Sequence, residues 1–217
     1  MISDTIFEYG EREIEYLRKA DKRLAEVIDK VGMIEKRVIP DLFTALVYSI
    51  VGQQIATKAQ ETIFTRMEQA LTITPDRLAS IAPDELQRFG ISFRKVNYIQ
   101  SAARKIVSGE FDIAALNEMS DTDVCIQLCS LDGVGIWTAE MLMLFSMQRQ
   151  DILSYGDLAI QRGLRMLYRH RKIDKSIFER YRRRYSPYGS IASLYIWAVA
   201  GGAIEGFSDP GAPKSRN

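Results

Sequence analysis

Asp157 follows Gly156 and opens a segment in which Leu158, Ile160, Leu164 and Leu167 recur at helical spacing. A carboxylate at a helix start is most often a plain N-cap. Held facing a cleft, its charge could instead stabilise an oxocarbenium-like sugar as a base departs, or help activate water. A second stretch, LDGVGIWTA over residues 131–139, sits between two helical patterns. Gly133 and Gly135 permit a tight turn with positive backbone dihedrals. The N–H groups that open the next helix would then attract an anion, and a DNA phosphate fits. Taken alone, a GxG between helices is also what an ordinary helical connection looks like, and neither stretch decides its own reading.

The rest of the inventory narrows the chemistry. The single histidine, His170, lies among cations in YRHRK and reads as a surface residue, which removes most nucleophile–histidine schemes and all multi-histidine metal sites. Cys125 and Cys129 stand one helical turn apart and read as buried free thiols in a reducing compartment. No Gly-rich phosphate loop of the GxGxxG or GxxxxGK[ST] type is present. Carboxylates, aromatics and backbone dipoles are what remain.

These residues need elements to position them, and the periodicity is helical nearly throughout, so the fold class is all-α. The pattern predicts helices over roughly 9–30, 41–51, 56–71, 75–81, 84–89, 93–108, 112–117, 121–130, 136–147, 157–169, 174–184 and 188–203. Segment 41–51, DLFTALVYSIV, is apolar almost all round and belongs in a core. The chain has 217 residues, 47% hydrophobic and 26% charged, enough for one large domain or two small lobes. Its formal net charge of +1 does not exclude nucleic acid, since a local basic face is what matters there. The run ERYRRRY at 179–185 reads equally as a solvated helix face or as tyrosines and arginines lining a nucleic-acid surface. Met33, Met67, Met119, Met141, Met143 and Met147 read as packing residues. The N-terminus does not read as a signal peptide, no apolar run is long enough for a membrane span, and the tail SDPGAPKSRN reads as frayed.

Taken together, the hairpin LDGVGIWTA, the helix after it and the Gly-Asp at the next helix start resemble the helix-hairpin-helix DNA glycosylase signature with its following aspartate. Residues 46–60, 94–110 and 185–202 also resemble matching segments of the alkylbase (3-methyladenine DNA glycosylase II) subfamily, so the resemblance spans roughly 12–205.

The resemblance implies a two-lobed all-α fold with the active cleft between the lobes. They are placed as 1–40 with 172–217, and 41–171 carrying the hairpin, within one unit over 1–217 and without an N-terminal β lobe. Asp157 matches the family's essential aspartate. Gly133, Val134, Gly135 and the N–H groups around Trp137 and Thr138 match the phosphate-gripping hairpin, and the carbonyls of Leu131 and Val134 are offered to a monovalent cation. Trp137 and Trp197 match walls of the base pocket, where Met141 replaces a third aromatic. Gln53 and Gln54 match the turn that enters the DNA stack, with Gln54 as the wedge.

The implied activity is monofunctional: hydrolysis of the N-glycosidic bond of alkylated bases in double-stranded DNA, starting base excision repair. It needs no cofactor and no iron–sulfur cluster, and the protein acts as a monomer without a membrane. The compartment would be a prokaryotic cytoplasm, at the nucleoid, or a eukaryotic nucleus. The alternatives are a sister enzyme for oxidised or mismatched bases, and a non-catalytic hairpin protein that only binds DNA.

Overall fold

The computed structural model describes residues 5–212, which form twelve α-helices and one 3-10 helix. Apart from single bridge residues at Ile6 and Arg37, the described residues contain no β-structure. None of these helices is long and apolar enough to cross a membrane.

The chain divides into two compact units. The first holds Thr5 and Arg37–Gln148, with α3 (Leu42–Gly52), α4 (Thr57–Ala70), α5 (Pro75–Ser80), α6 (Pro83–Gln87), α7 (Phe93–Val107), the 3-10 turn Ala115–Glu118, α8 (Asp121–Cys129) and α9 (Ile136–Phe145). The second holds Ile6–Lys36 and the chain from Arg149 on, with α1 (Glu11–Ala20), α2 (Lys22–Val31), α10 (Leu158–Tyr168), α11 (Lys175–Tyr185) and α12 (Gly189–Ala200). The expected boundary after 171 is therefore displaced to 148/149, and residues 149–171 join the terminal unit. The reason is packing: α10 lies against α12 so closely that a Cβ on Gly163 would stand 2.3 Å from the Ile196 carbonyl oxygen.

Local chemistry sets the helix starts. Asp41 caps α3 by accepting from Thr44 N at 2.7 Å, and Thr74 caps α5 with Pro75 in its first turn. Helix α3 buries Phe43, Leu46, Val47, Ile50 and Val51, as its all-round apolarity predicts. Each such side chain contributes about 1.5–3 kcal/mol through burial.

Two helical expectations are corrected, both by short polar side chains competing for backbone donors. The predicted helix 9–30 breaks at Asp21, whose extended backbone (φ −151°, ψ 113°) and carboxylate, accepting from Arg23 N and Leu24 N, start α2 afresh. The predicted helix 112–117 shrinks to the 3-10 turn because Asp112 Oδ1 accepts from Ala114 N and Ala115 N.

The surface differs from expectation as well. Tyr181 and Tyr185 in the basic run are buried, so the tyrosines do not share the exposed face of the arginines. Met33 is 57% exposed and packs little. His170 is half-buried and pairs with the Tyr181 hydroxyl at 2.7 Å. Cys125 and Cys129 are half-buried free thiols, with Cys125 pushed up to about 11 by burial and by its neighbour Cys129. In the tail, Asp209 is tied to Arg165 by two hydrogen bonds of 2.8 and 2.6 Å, while residues 213–217 lie outside the described residues.

Candidate functional site

Within the terminal unit, Asp157 caps α10. Its Oδ1 accepts from Ala159 N and Ile160 N, both at 2.8 Å, and from Trp197 Nε1 at 3.3 Å. Asp157 is buried, with 7% of its residue surface exposed. Two donors are the opening amides of α10, so the helix dipole points its positive end at the acid. The third comes from α12, which the close approach at Gly163 brings within reach. Ser154 O receives Asp157 N at 3.4 Å, and Gln161 Nε2 reaches back to Tyr155 O at 2.7 Å, fastening the loop before the cap. Trp197, core-like by periodicity, is half-buried, with its indole N–H on the carboxylate.

Within the other unit, α8 and α9 are joined by the hairpin 130–135. Gly133 has φ +79°, and a Cβ there would fall 2.3 Å from the Tyr98 ring, so both backbone and space require glycine. Leu131 and Val134 are buried and anchor the turn, and Val134 N donates to Leu131 O at 3.1 Å. Gly135 is the N-cap of α9 and contributes no side chain to the helix start. Thr138 is buried. Trp137 is 49% exposed, and Met141, half-buried, follows one turn later on the same face.

The turn between α3 and α4 is fastened to this hairpin. Gln53 Nε2 donates to Gly133 O at 2.8 Å. Gln54 is exposed and holds φ +59°, a left-handed conformation uncommon for a non-glycine residue, of the kind that clusters at functional sites. Lys95, on α7, donates its Nζ to Val51 O at 2.8 Å and Gln53 O at 2.7 Å, closing the C-terminal end of α3. Burial, then the neighbouring Arg94, pushes its ammonium below the ordinary lysine range. Ser101, two turns of α7 further on, donates to Asp132 Oδ2 at 2.7 Å.

Thus α7 is the platform under both the hairpin and the glutamine turn. Lys95, Tyr98 and Ser101 were not singled out from sequence, and their role rests on long-range contacts that periodicity does not encode.

Backbone carbonyls are hard donors suited to hard cations, and Leu131 O keeps a second lone pair beside the one given to Val134 N. Among the described residues, no group of three or more His, Cys, Asp or Glu could hold a metal.

The model of the HhH-GPD superfamily base excision DNA repair protein matches residues 47–187. DNA-3-methyladenine glycosylase 1 of Schizosaccharomyces pombe is 26% identical over 199 residues, covering 89% of this chain and 86% of that protein. The crystal structure of a DNA-3-methyladenine glycosidase from Bacillus halodurans superposes with a TM-score of 0.82 at 35% identity, covering 94% of this chain and 95% of that one. A Schizosaccharomyces pombe 3-methyladenine DNA glycosylase in complex with abasic DNA shares the fold, with a TM-score of 0.78 at 23% identity over 91% of this chain and 99% of that one.

Proposed function

This chain belongs to the HhH-GPD superfamily of base excision DNA repair proteins, and from that membership we propose that it is a monofunctional DNA glycosylase releasing alkylated bases. The observation that carries the reading is the buried Asp157 carboxylate, held by two helix amides and one indole N–H. A negative charge fixed in a water-poor setting stabilises a positively charged sugar without reorganising during the reaction. The similarity to proteins named DNA-3-methyladenine glycosylase supports alkylated purines as substrates.

In this reading the protein binds double-stranded DNA through phosphates, with the Gly133–Gly135 turn and the start of α9 gripping one of them. Gln54 fills the space left by a rotated nucleotide. The exposed face of Trp137 stacks on a base, and a cationic methylpurine gains cation–π attraction there. As the N-glycosidic bond breaks, its electrons leave with the base. Asp157 stabilises the sugar cation, and water adds to it and loses a proton, leaving free base and an abasic site. No cofactor enters these steps. A monovalent ion held by the carbonyls of Leu131 and Val134 would add positive charge facing the phosphate. The protein works as a monomer.

Strand cleavage needs an amine that attacks the sugar. The hairpin holds Trp137, whose indole has no nucleophilic amine, and in the same unit the Lys95 amine is committed to two carbonyls. Incubation of methylated duplex with the protein should release free methylpurine and leave strands that break only on heating in alkali. Borohydride should trap no protein–DNA adduct. A folded protein that releases no base from a panel of alkylated duplexes would sink the reading, and a trapped adduct abolished by changing one lysine would sink its monofunctional part.

A further inference from the structure

The basic run noted in the sequence is not used by the chemistry above, and the terminal unit shows what surrounds it. Between Arg162 and Arg184 the chain carries ten Lys or Arg and two Asp or Glu, although its total formal charge is only +1. Everything outside this stretch is therefore net negative. Two of the ten cations are committed to structure: Arg165 to Asp209, and Arg184 to Asp21. Arg162 lies 4.0 Å from Asp209. The other seven, from Arg169 to Arg183, are exposed, and among the described residues none pairs with a carboxylate. Within the stretch, Asp174 caps α11 through Ile177 N, and Glu179 is half-buried.

The cations form a surface rather than a scatter. On α11 the apolar side holds Phe178, Tyr181 and Tyr185, all buried, which turns Lys175, Arg180, Arg182 and Arg183 to solvent. The loop after α10 adds Arg169, Arg171 and Lys172, and α2 adds exposed Arg23. Arg23 of α2 lies over the Tyr168 ring, which stacks on Tyr181 of α11, so α2 adds its cation to the same face; burial, then Arg180 and Arg23, lowers the affinity of His170 for a proton, against Asp174.

The neighbouring rings are occupied. Tyr168 stacks on Tyr181 with centroids 4.2 Å apart, and Arg23 and Arg184 lie over these two rings. Single strands are gripped by bases stacking on open aromatic faces, whereas sequence-independent binding of duplex DNA rests on its phosphates and needs no open ring. A cationic face without open rings fits the duplex. It begins at the far end of α10 from Asp157, roughly 16 Å away by helical rise.

We infer that the exposed face formed by the end of α10 and by α11 is a second contact for duplex DNA, which holds phosphates apart from the nucleotide at Asp157 and retains the protein on undamaged duplex. DNA as the partner rests on the proposed function; the site itself rests on charge, exposure and covered rings.

The test is the combined variant R180Q/R182Q/R183Q, compared with the intact protein for binding to lesion-free duplex across a salt series. Each lost phosphate contact removes a released counterion, so the log–log salt slope should fall by about one to three, with affinity at least about tenfold weaker at ~0.1 M salt. Base release at saturating enzyme under single turnover should stay within about twofold. An unchanged slope and affinity would overturn the inference, as would lost binding to phosphatidylglycerol vesicles with duplex binding intact. Should circular dichroism show the triple variant unfolded, R171Q/K172Q in the exposed loop gives the same reading, with a slope change of about one to two. If the intact protein releases no base at all, the enzymatic reading fails while the salt slope still decides this one.

Discussion

Two helix starts in this molecule put the same electrostatic feature to opposite uses. Helix α10 begins at Asp157, whose own carboxylate accepts its opening amides. Helix α9 begins at Gly135, which brings no side chain to its amides. The positive end of a helix attracts negative charge in either case. Where the cap residue supplies that charge, the helix holds an acid in place. Where the cap is glycine, it suits an anion from outside. A single residue type at the cap thus separates a site that presents a carboxylate from one that suits a phosphate. The surroundings follow suit: Asp157 is buried, while Ile136 and Trp137 beside the glycine cap are 66% and 49% exposed.

The largest expected effect comes from removing the charge at α10 while keeping the cap. Asparagine caps a helix as well as aspartate, so Asp157→Asn should change stability by no more than ~0.5 kcal/mol. Base release should nevertheless fall by about a thousandfold, the scale of losing a preorganised electrostatic group. Near-wild-type single-turnover release by the folded variant would leave Asp157 as a cap and nothing more, and the contrast with α9 would collapse.

A smaller effect should come from Trp197→Phe, which keeps a ring but removes the indole N–H that reaches Oδ1 at 3.3 Å. Loss of a hydrogen bond to a charged group predicts a decrease of about tenfold to hundredfold in release rate. An unaffected rate would show that the two helix amides hold the acid unaided.

At the other helix start, the two glycines should answer differently. Gly133→Ala meets Tyr98 and a φ of +79°, and should cost about 1–3 kcal/mol together with much of the affinity for abasic duplex. Gly135→Ala meets nothing within 4 Å at φ −97°, and should cost about 1 kcal/mol or less. Thermal melts of the pair decide this, and equal losses would mean that the turn is not what shapes this helix start.

The smallest effect is expected at Gln54, which performs no bond chemistry. Gln54→Ala should weaken binding to lesion duplex by a few-fold, while release from an already mispaired lesion stays near wild type. Loss on the scale of Asp157→Asn in that single-turnover assay would reassign the residue to the chemistry.

Most of the helices could be read from the chain because their causes are local. The cap and proline at Thr74-Pro75, the Asp41 start and the apolar face of α10 all act within a few residues. The break at Asp21 was equally local, yet it was hidden inside a continuous apolar period that one short side chain could interrupt. Gly133 of the hairpin and the aspartate after it could be singled out because a positive φ and a cap leave marks on residue choice.

What the chain alone did not disclose lies in pairings between residues far apart. The tyrosines of the basic run alternate with arginines in sequence, but α11 turns Tyr181 and Tyr185 inward and the arginines out, because helical period and burial override adjacency. Gly163 lies inside an amphipathic helix, and the Ile196 carbonyl packed against it holds α10 in the terminal unit. Lys95 places its amine on two carbonyls at the end of α3, a pairing over more than forty residues that local pattern does not encode. The sequence by itself determined that the protein is helical, where its two distinctive helix starts lie, and which acid stands at one of them, since caps, turns and periodicity act over a few residues. Only the tertiary structure decided that the acid takes an indole N–H from residue 197 and that the hairpin carbonyl takes an amide N–H from residue 53, because those bonds depend on how helices pack, which is a property of the whole chain.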